Sequence, residues 1–151
     1  RRRPPEGRAV QTAGPVVIDT NVVLDLLVFE DPASAPLRDA LARGRLRWFA
    51  TTAMREELQR VLGYPQIARR LAQRALAPGA VMAQFDALSH RVPAAARAPW
   101  RCGDPDDQIF VDLAWAHRAE LLSRDRLVLR MHKRLAAQGV RVAAVRAEPM
   151  P

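Results

Sequence analysis

Val16-Val17-Ile18-Asp19-Thr20-Asn21-Val22-Val23 is the stretch that decides the fold. Three apolar, β-branched residues in a row suit a strand covered on both faces, as strands of a parallel sheet are, and the run stops at a carboxylate. Asn21 is a candidate cap for the helix that follows, whose apolar residues include Val22, Val23, Leu26 and Leu27. The unit therefore reads as strand, acid, helix.

The same alternation continues outward from that unit. Ser34 opens a second helix through Leu37, Ala40 and Leu41 that stops near Gly44, and Leu46 to Ala50 reads as the next strand. Thr51 or Thr52 caps a helix carrying Met54, Leu58, Val61 and Leu62, which Gly63-Tyr64-Pro65 ends. Two further helices are predicted near Gln66–Leu76 and Gly79–His90, before a Pro/Ala connection from Val92 to Arg101 with room for a short strand. Asp104-Pro105 begins a helix through Ile109, Phe110, Leu113 and Ala114. Glu120-Leu121-Leu122 is a third strand, Arg126–Gln138 a helix and Val140–Val145 a last strand. Strands alternating with helices imply a three-layer α/β/α fold around a mostly parallel central sheet, whose functional residues gather at the carboxyl ends of the strands. The folded domain is expected over residues 15–146, with a disordered basic arm at 1–14 and a tail at 147–151.

The 151 residues suffice for one domain with a buried core, and 49% hydrophobic with 26% charged residues is a globular composition. The formal net charge is +8, and all but one of the basic residues are arginine, Lys133 being the exception. Arginine binds phosphate bidentately and stacks on bases, which suits a nucleic-acid partner. A coding bias toward Arg, Ala and Pro would produce the same enrichment. Cys102 is the only cysteine, so an internal disulfide is excluded and a reducing cytoplasm is the expected location. No apolar run approaches the roughly 18 residues that span a membrane. The opening Arg1-Arg2-Arg3-Pro4-Pro5 has no apolar region behind it and is not read as a secretory signal.

Several acids fall where strands end or helices begin. Asp19 follows the first strand, Asp125 comes shortly after Leu121-Leu122, and Asp104-Pro105-Asp106-Asp107 opens the helix before that strand. In a parallel sheet these three places meet at one edge. Each has a bland reading: Asp104 as an N-cap ahead of Pro105, Asp19 as a turn residue, Asp125 as the cap of the next helix. Their joint placement argues for a cation, because packed carboxylates repel one another without one. Hard oxygen ligands of this kind suit Mg²⁺ or Mn²⁺. On the helix defined by Met54, Leu58, Val61 and Leu62, Glu57 borders the buried stripe and Glu56 lies nearly opposite, so Glu57 is the better candidate to reach a site. A solvated glutamate on a helix flank is the alternative.

Together these segments resemble the PIN-domain family of nucleases, in the branch of toxins from toxin–antitoxin pairs (VapC-like ribonucleases). Val17-Ile18-Asp19-Thr20-Asn21-Val22 is similar to the family's opening strand with its Asp-Thr-Asn. The segment Thr52–Leu62 carries the family's Glu-Leu, and Asp104–Ala114 and Ala119–Leu127 follow in family order. The resemblance implies that Asp19, Glu57, Asp107 and Asp125 are the catalytic, metal-holding acids. Asp104 would be a further ligand or the helix cap, Ser123 would orient the last aspartate, and Asn21 would hold a water or the scissile phosphate. It also implies Mg²⁺ or Mn²⁺ as cofactor, RNA as substrate, a small antitoxin that blocks the site, and homodimers.

One or two divalent ions would activate a water and stabilise the leaving oxygen. Arginines such as Arg55, Arg60, Arg124 and Arg126 are candidates for the flanking phosphates. His90, His117 and His132 lack metal-ligand spacing, and His117 is expected to be a packed histidine. No Gly-rich or Walker loop follows the first strand, which disfavours nucleotide enzymes, and Lys133 lies within a helix, where a phosphate-accepting receiver would want it after a strand. Two readings remain open beside a ribonuclease: a non-catalytic module that holds RNA or protein, and a metal-dependent DNA nuclease.

Overall fold

A computed structural model describes residues 14–99, 107–130, 132–137 and 139–144. Most of the expected N-terminal arm, the tail, Asp104 and Asp106 lie outside the described residues. The elements in chain order begin with β1 (Gly14–Ile18) and α1 (Thr20–Leu24), which runs on into a π-helical turn at Asp25–Phe29. A 3₁₀ turn at Pro32–Ser34 precedes α2 (Ala35–Ala42), β2 (Leu46–Ala50), α3 (Thr52–Leu62), α4 (Pro65–Gln73) and α5 (Pro78–Leu88). Then come β3 (Ser89–Arg91), α6 (Gln108–His117), β4 (Glu120–Leu122), α7 (Arg126–Arg130), α8 (His132–Ala137) and β5 (Val142–Ala143).

The five strands form one sheet in the order β3-β2-β1-β4-β5, and every pairing is parallel. In the register, Val16 lies beside Trp48 on one side, and Ile18 beside Leu122 on the other. From β1 the chain steps outward through β2 to β3, then returns to the other side of β1 for β4 and β5. Right-handed crossovers in opposite directions put their helices on opposite faces, which makes the three layers expected from the sequence. Val16, Val17 and Ile18 are accordingly all buried in succession, as a central parallel strand requires. On β2 the buried residues are Trp48 and Ala50, with Trp48 meeting Phe85 of α5 edge to face at 4.9 Å. No helix among the described residues is long and apolar enough to cross a membrane.

Four local expectations need correction. The helix after β1 is capped by Asp19, whose extended backbone lets its side chain accept from Val22 N–H, and not by Asn21. The edge strand lies at Ser89–Arg91, where a helix was expected to run through His90. Those residues carry no apolar pattern, and Val92 N–H completes the pairing on Ala50 O at 3.0 Å. Finally, the expected helix Arg126–Gln138 is two helices, α7 and α8, and the break falls at residue 131, outside the described residues. The last strand is shorter than expected, at Val142–Ala143.

The strand order reverses between β1 and β4. In open α/β sheets that reversal leaves a crevice at the carboxyl ends of the two strands, where ligands bind. Asp19 and Ser123-Arg124-Asp125 are the residues that immediately follow those two strands.

Candidate active site

Asp19 anchors the crevice. Its backbone N–H donates to Leu122 O at 3.0 Å, extending the β1–β4 ladder by one residue, and its side chain is left 4% exposed at the strand end. Oδ1 accepts from Val22 N–H at 3.0 Å, and Oδ2 accepts from the Ser123 hydroxyl at 2.5 Å. Ser123 is fully buried, its own N–H tied to Ala143 O of β5 at 3.0 Å. Its Oγ also accepts from Asp125 N–H at 3.0 Å, so one hydroxyl holds the Asp19 carboxylate and the Asp125 backbone. Asp125 is half-buried, and its carbonyl accepts from Leu129 N–H at the start of α7.

Burial is the chief influence on Asp19, and it pushes the carboxyl above its ordinary value. The hydrogen bonds from Ser123 and Val22 pull the other way, the negative charge of Asp125 adds to the rise, and Arg124 opposes it. The two carboxylates are thus close enough to feel one another. Arg124 lies with its Nε 3.2 Å from Asp25 Oδ2, and Asp25 is itself raised, first by burial, against the lowering influence of Arg124.

Asp107 stands just before the first residue of α6, half-buried, with its Oδ2 atom buried and no side-chain cap on its own helix. Because α6 packs on β1 and β4, its start lies at the same sheet edge as Asp19 and Asp125. Glu57 is half-buried on α3 and Glu56 is exposed, matching the helical geometry read from the sequence. The cap of α3, Thr51 accepting from Met54 N–H at 3.3 Å, stands at the end of β2, next to β1. Asn21 is exposed in the first turn of α1.

Asp19, Ser123 and Asp125 are therefore brought together, whereas Glu57 and Asp107 stand on neighbouring elements. Among the described residues, no group of three or more acidic, histidine or cysteine side chains is close enough to hold one ion. The donor chemistry nevertheless fits a hard divalent cation. Asp19 and Asp125 supply hard carboxylate oxygens, and their mutual repulsion is what a cation would relieve. His117 is half-buried against the Phe49 ring at 4.9 Å, away from any ligand role.

Two carboxylates with a structural part escaped the sequence reading. Asp112 is buried within α6, where its Oδ1 accepts from Ala98 N–H and from the Gln108 side-chain amide, both at 2.8 Å. It ties the connection before α6 to the helix that carries Asp107. Asp25 pairs with Arg124. Each is an acid inside an apolar run (Phe110-Val111-Asp112-Leu113 and Leu24-Asp25-Leu26), the one signal that could have marked them.

Comparison with known proteins bears on the family and the fold. The family model for the PIN domain matches residues 15–127. The chain is similar in structure to a chain of VapBC2 from Rickettsia felis, solved bound to a DNA fragment from their promoter. The TM-score is 0.60 over 86% of this chain and 98% of that chain, at 12% identity, which is a likeness of fold. No curated protein sequence matches the chain significantly.

Proposed function

The chain belongs to the PIN-domain family, and on that premise we propose that it is a Mg²⁺- or Mn²⁺-dependent endoribonuclease acting as the toxin of a toxin–antitoxin pair. The observation that carries the reading is the Asp19–Asp125 pair, locked by Ser123 at the switch point of the sheet. Asp19 itself accepts hydrogen bonds from a backbone N–H and a hydroxyl.

Asp19 and Asp125 would hold the ion, with Glu57, Asp107 and Asp104 as the family's further acids. A bound divalent ion supplies Lewis acidity and positive charge for phosphodiester hydrolysis. Ser123 keeps Asp19 in one rotamer and so presets the ligand atoms. Asn21, exposed in the first turn of α1, would contact a phosphate or an attacking water. In the reaction, water oxygen would add to phosphorus while a carboxylate at the crevice accepts its proton, and the leaving ribose oxygen would take a proton from solvent as its bond to phosphorus breaks. Without a cation the acids repel the RNA backbone, so the metal requirement follows from the charge of the site. The formal net charge of +8 supplies attraction elsewhere on the surface. The Rickettsia felis relative is part of VapBC2, which supports a small antitoxin as the partner of this chain too.

The test is cleavage of labelled single-stranded RNA and DNA in Mn²⁺, Mg²⁺ or EDTA by the wild type, Asp19→Asn and Asp107→Asn. RNA cutting that needs metal and is abolished by both substitutions is the expected result. Cutting of DNA alone would make it a DNA nuclease, and RNA bound without cutting in either metal would make it a binding module.

A further inference from the structure

The four arginines that the sequence places around the acids have different situations. Arg55 spends its guanidinium on Asp86, with Nε–Oδ1 and Nη2–Oδ2 both at 2.8 Å. Arg60 is exposed on the last turn of α3, and the side chain of Arg126 lies outside what is described. Arg124 stands between Ser123 and Asp125, on the loop that carries half of the acid pair.

The side chain of Arg124 is paired with an acid. Its Nε lies 3.2 Å from Asp25 Oδ2, an acid whose side chain is 16% exposed against 53% for the arginine. Asp25 is fixed in turn, because its carbonyl accepts from both Glu30 and Asp31 N–H at the close of the π turn. Among the described residues, the two Nη groups of Arg124 donate no hydrogen bond. A guanidinium carries five N–H donors in a rigid fork that matches two phosphate oxygens. Holding Nε beforehand lowers the ordering cost when the outer edge of the fork meets a ligand.

We propose that Arg124 is a substrate-binding residue that grips an RNA phosphate beside the acid pair through its Nη groups, while Asp25 is a positioning residue that holds its Nε. The inference rests on the ribonuclease reading and adds to it the residue that offsets the local negative charge for the incoming strand. Asp19 and Asp125 would hold the cation, and Arg124 would bind the neighbouring phosphate that the cation does not reach.

The test is binding of a fluorescein-labelled single-stranded RNA by the full chain with Ca²⁺ in place of Mg²⁺, followed by anisotropy across a salt series. The variants are Arg124→Gln, Arg124→Lys and Arg141→Gln. Arg141 is 82% exposed beside β5 at the opposite edge of the sheet, so its substitution controls for net charge. Arg124→Gln is expected to weaken binding about tenfold, as for a lost charged hydrogen bond, and to flatten the salt slope by about 0.7. Arg124→Lys should keep the slope and recover only part of the affinity, since a point charge cannot both meet Asp25 and present a fork. Arg124→Gln behaving like Arg141→Gln, in a protein that still binds and cuts RNA, would overturn this inference alone. Arg124→Lys matching the wild type would remove the part played by Asp25. A wild type that does not bind RNA would overturn the ribonuclease reading and this inference with it.

Discussion

The Ser123 hydroxyl donates to Asp19 Oδ2 at 2.5 Å while accepting from Asp125 N–H at 3.0 Å, joining positions 104 residues apart. The contact exists because β1 and β4 are neighbours in the sheet although more than half of the chain separates them. Ser123→Ala removes the donor to Asp19 and the acceptor for Asp125 together. The metal concentration giving half-maximal cleavage is expected to rise about 10–100-fold, as when an orienting partner of a ligand is lost. Ser123→Thr keeps the hydroxyl and should stay close to the wild type. An unchanged metal requirement in Ser123→Ala would leave the hydroxyl a packing role only.

The burial of Asp19 sets a pH dependence whose sign is fixed. Its carboxyl is raised above the ordinary 3.8, so the folded chain holds this proton more tightly than the unfolded chain does. The resulting stabilisation is fully present below 3.8 and is lost as pH rises through the folded value. Metal-free protein should therefore lose stability with rising pH across that window, and Asp19→Asn, which cannot titrate, should lack that component. Thermal unfolding in EDTA as a function of pH checks this. Identical pH slopes for the two proteins would show that Asp19 ionises without cost.

Asp112 should matter for stability more than for chemistry. Replacing it with Ala strips the acceptor from the Ala98 N–H, a buried residue, and from the Gln108 amide. A loss of about 2 kcal/mol is expected from stranding a buried donor. Asp112→Asn retains Oδ1 and should cost roughly half of that or less. Urea unfolding measures both, and a neutral Asp112→Ala would mean that the connection before α6 is not held by this carboxylate.

The two adjacent glutamates of α3 separate by helical geometry. Glu57 is half-buried and Glu56 exposed. Glu57→Gln should raise the metal requirement of cleavage several-fold, while Glu56→Gln should leave it near the wild-type value. Equal effects would place the site off this helix.

Much of this was legible because periodicity and position carry it. Val16-Val17-Ile18 is apolar without alternation, so a strand covered on both faces could be read directly, and Asp19 at its end marked the carboxyl edge of the sheet, where open α/β sheets bind ligands. The Met54, Leu58 and Leu62 stripe likewise told Glu57 from Glu56. What escaped depends on contacts between distant segments. Ser89–Arg91 is three residues long and half-buried to exposed, so its pairing with β2 is set by the sheet and leaves no apolar pattern to read. Asp19, Thr20 and Asn21 are all acceptable caps by type, and only the extended backbone at Asp19 chooses among them. The pairing of Asp25 with Arg124 closes across the β1–β4 junction, which no local window contains.

The central claim is that Asp19 and Asp125 together hold a divalent cation, and calorimetric titration of metal-free protein with Mn²⁺ tests it most directly. The account predicts saturable binding by the folded wild type, abolished or weakened at least tenfold in both Asp19→Asn and Asp125→Asn. Binding that survives both substitutions unchanged, or no binding by a folded wild type, would contradict it.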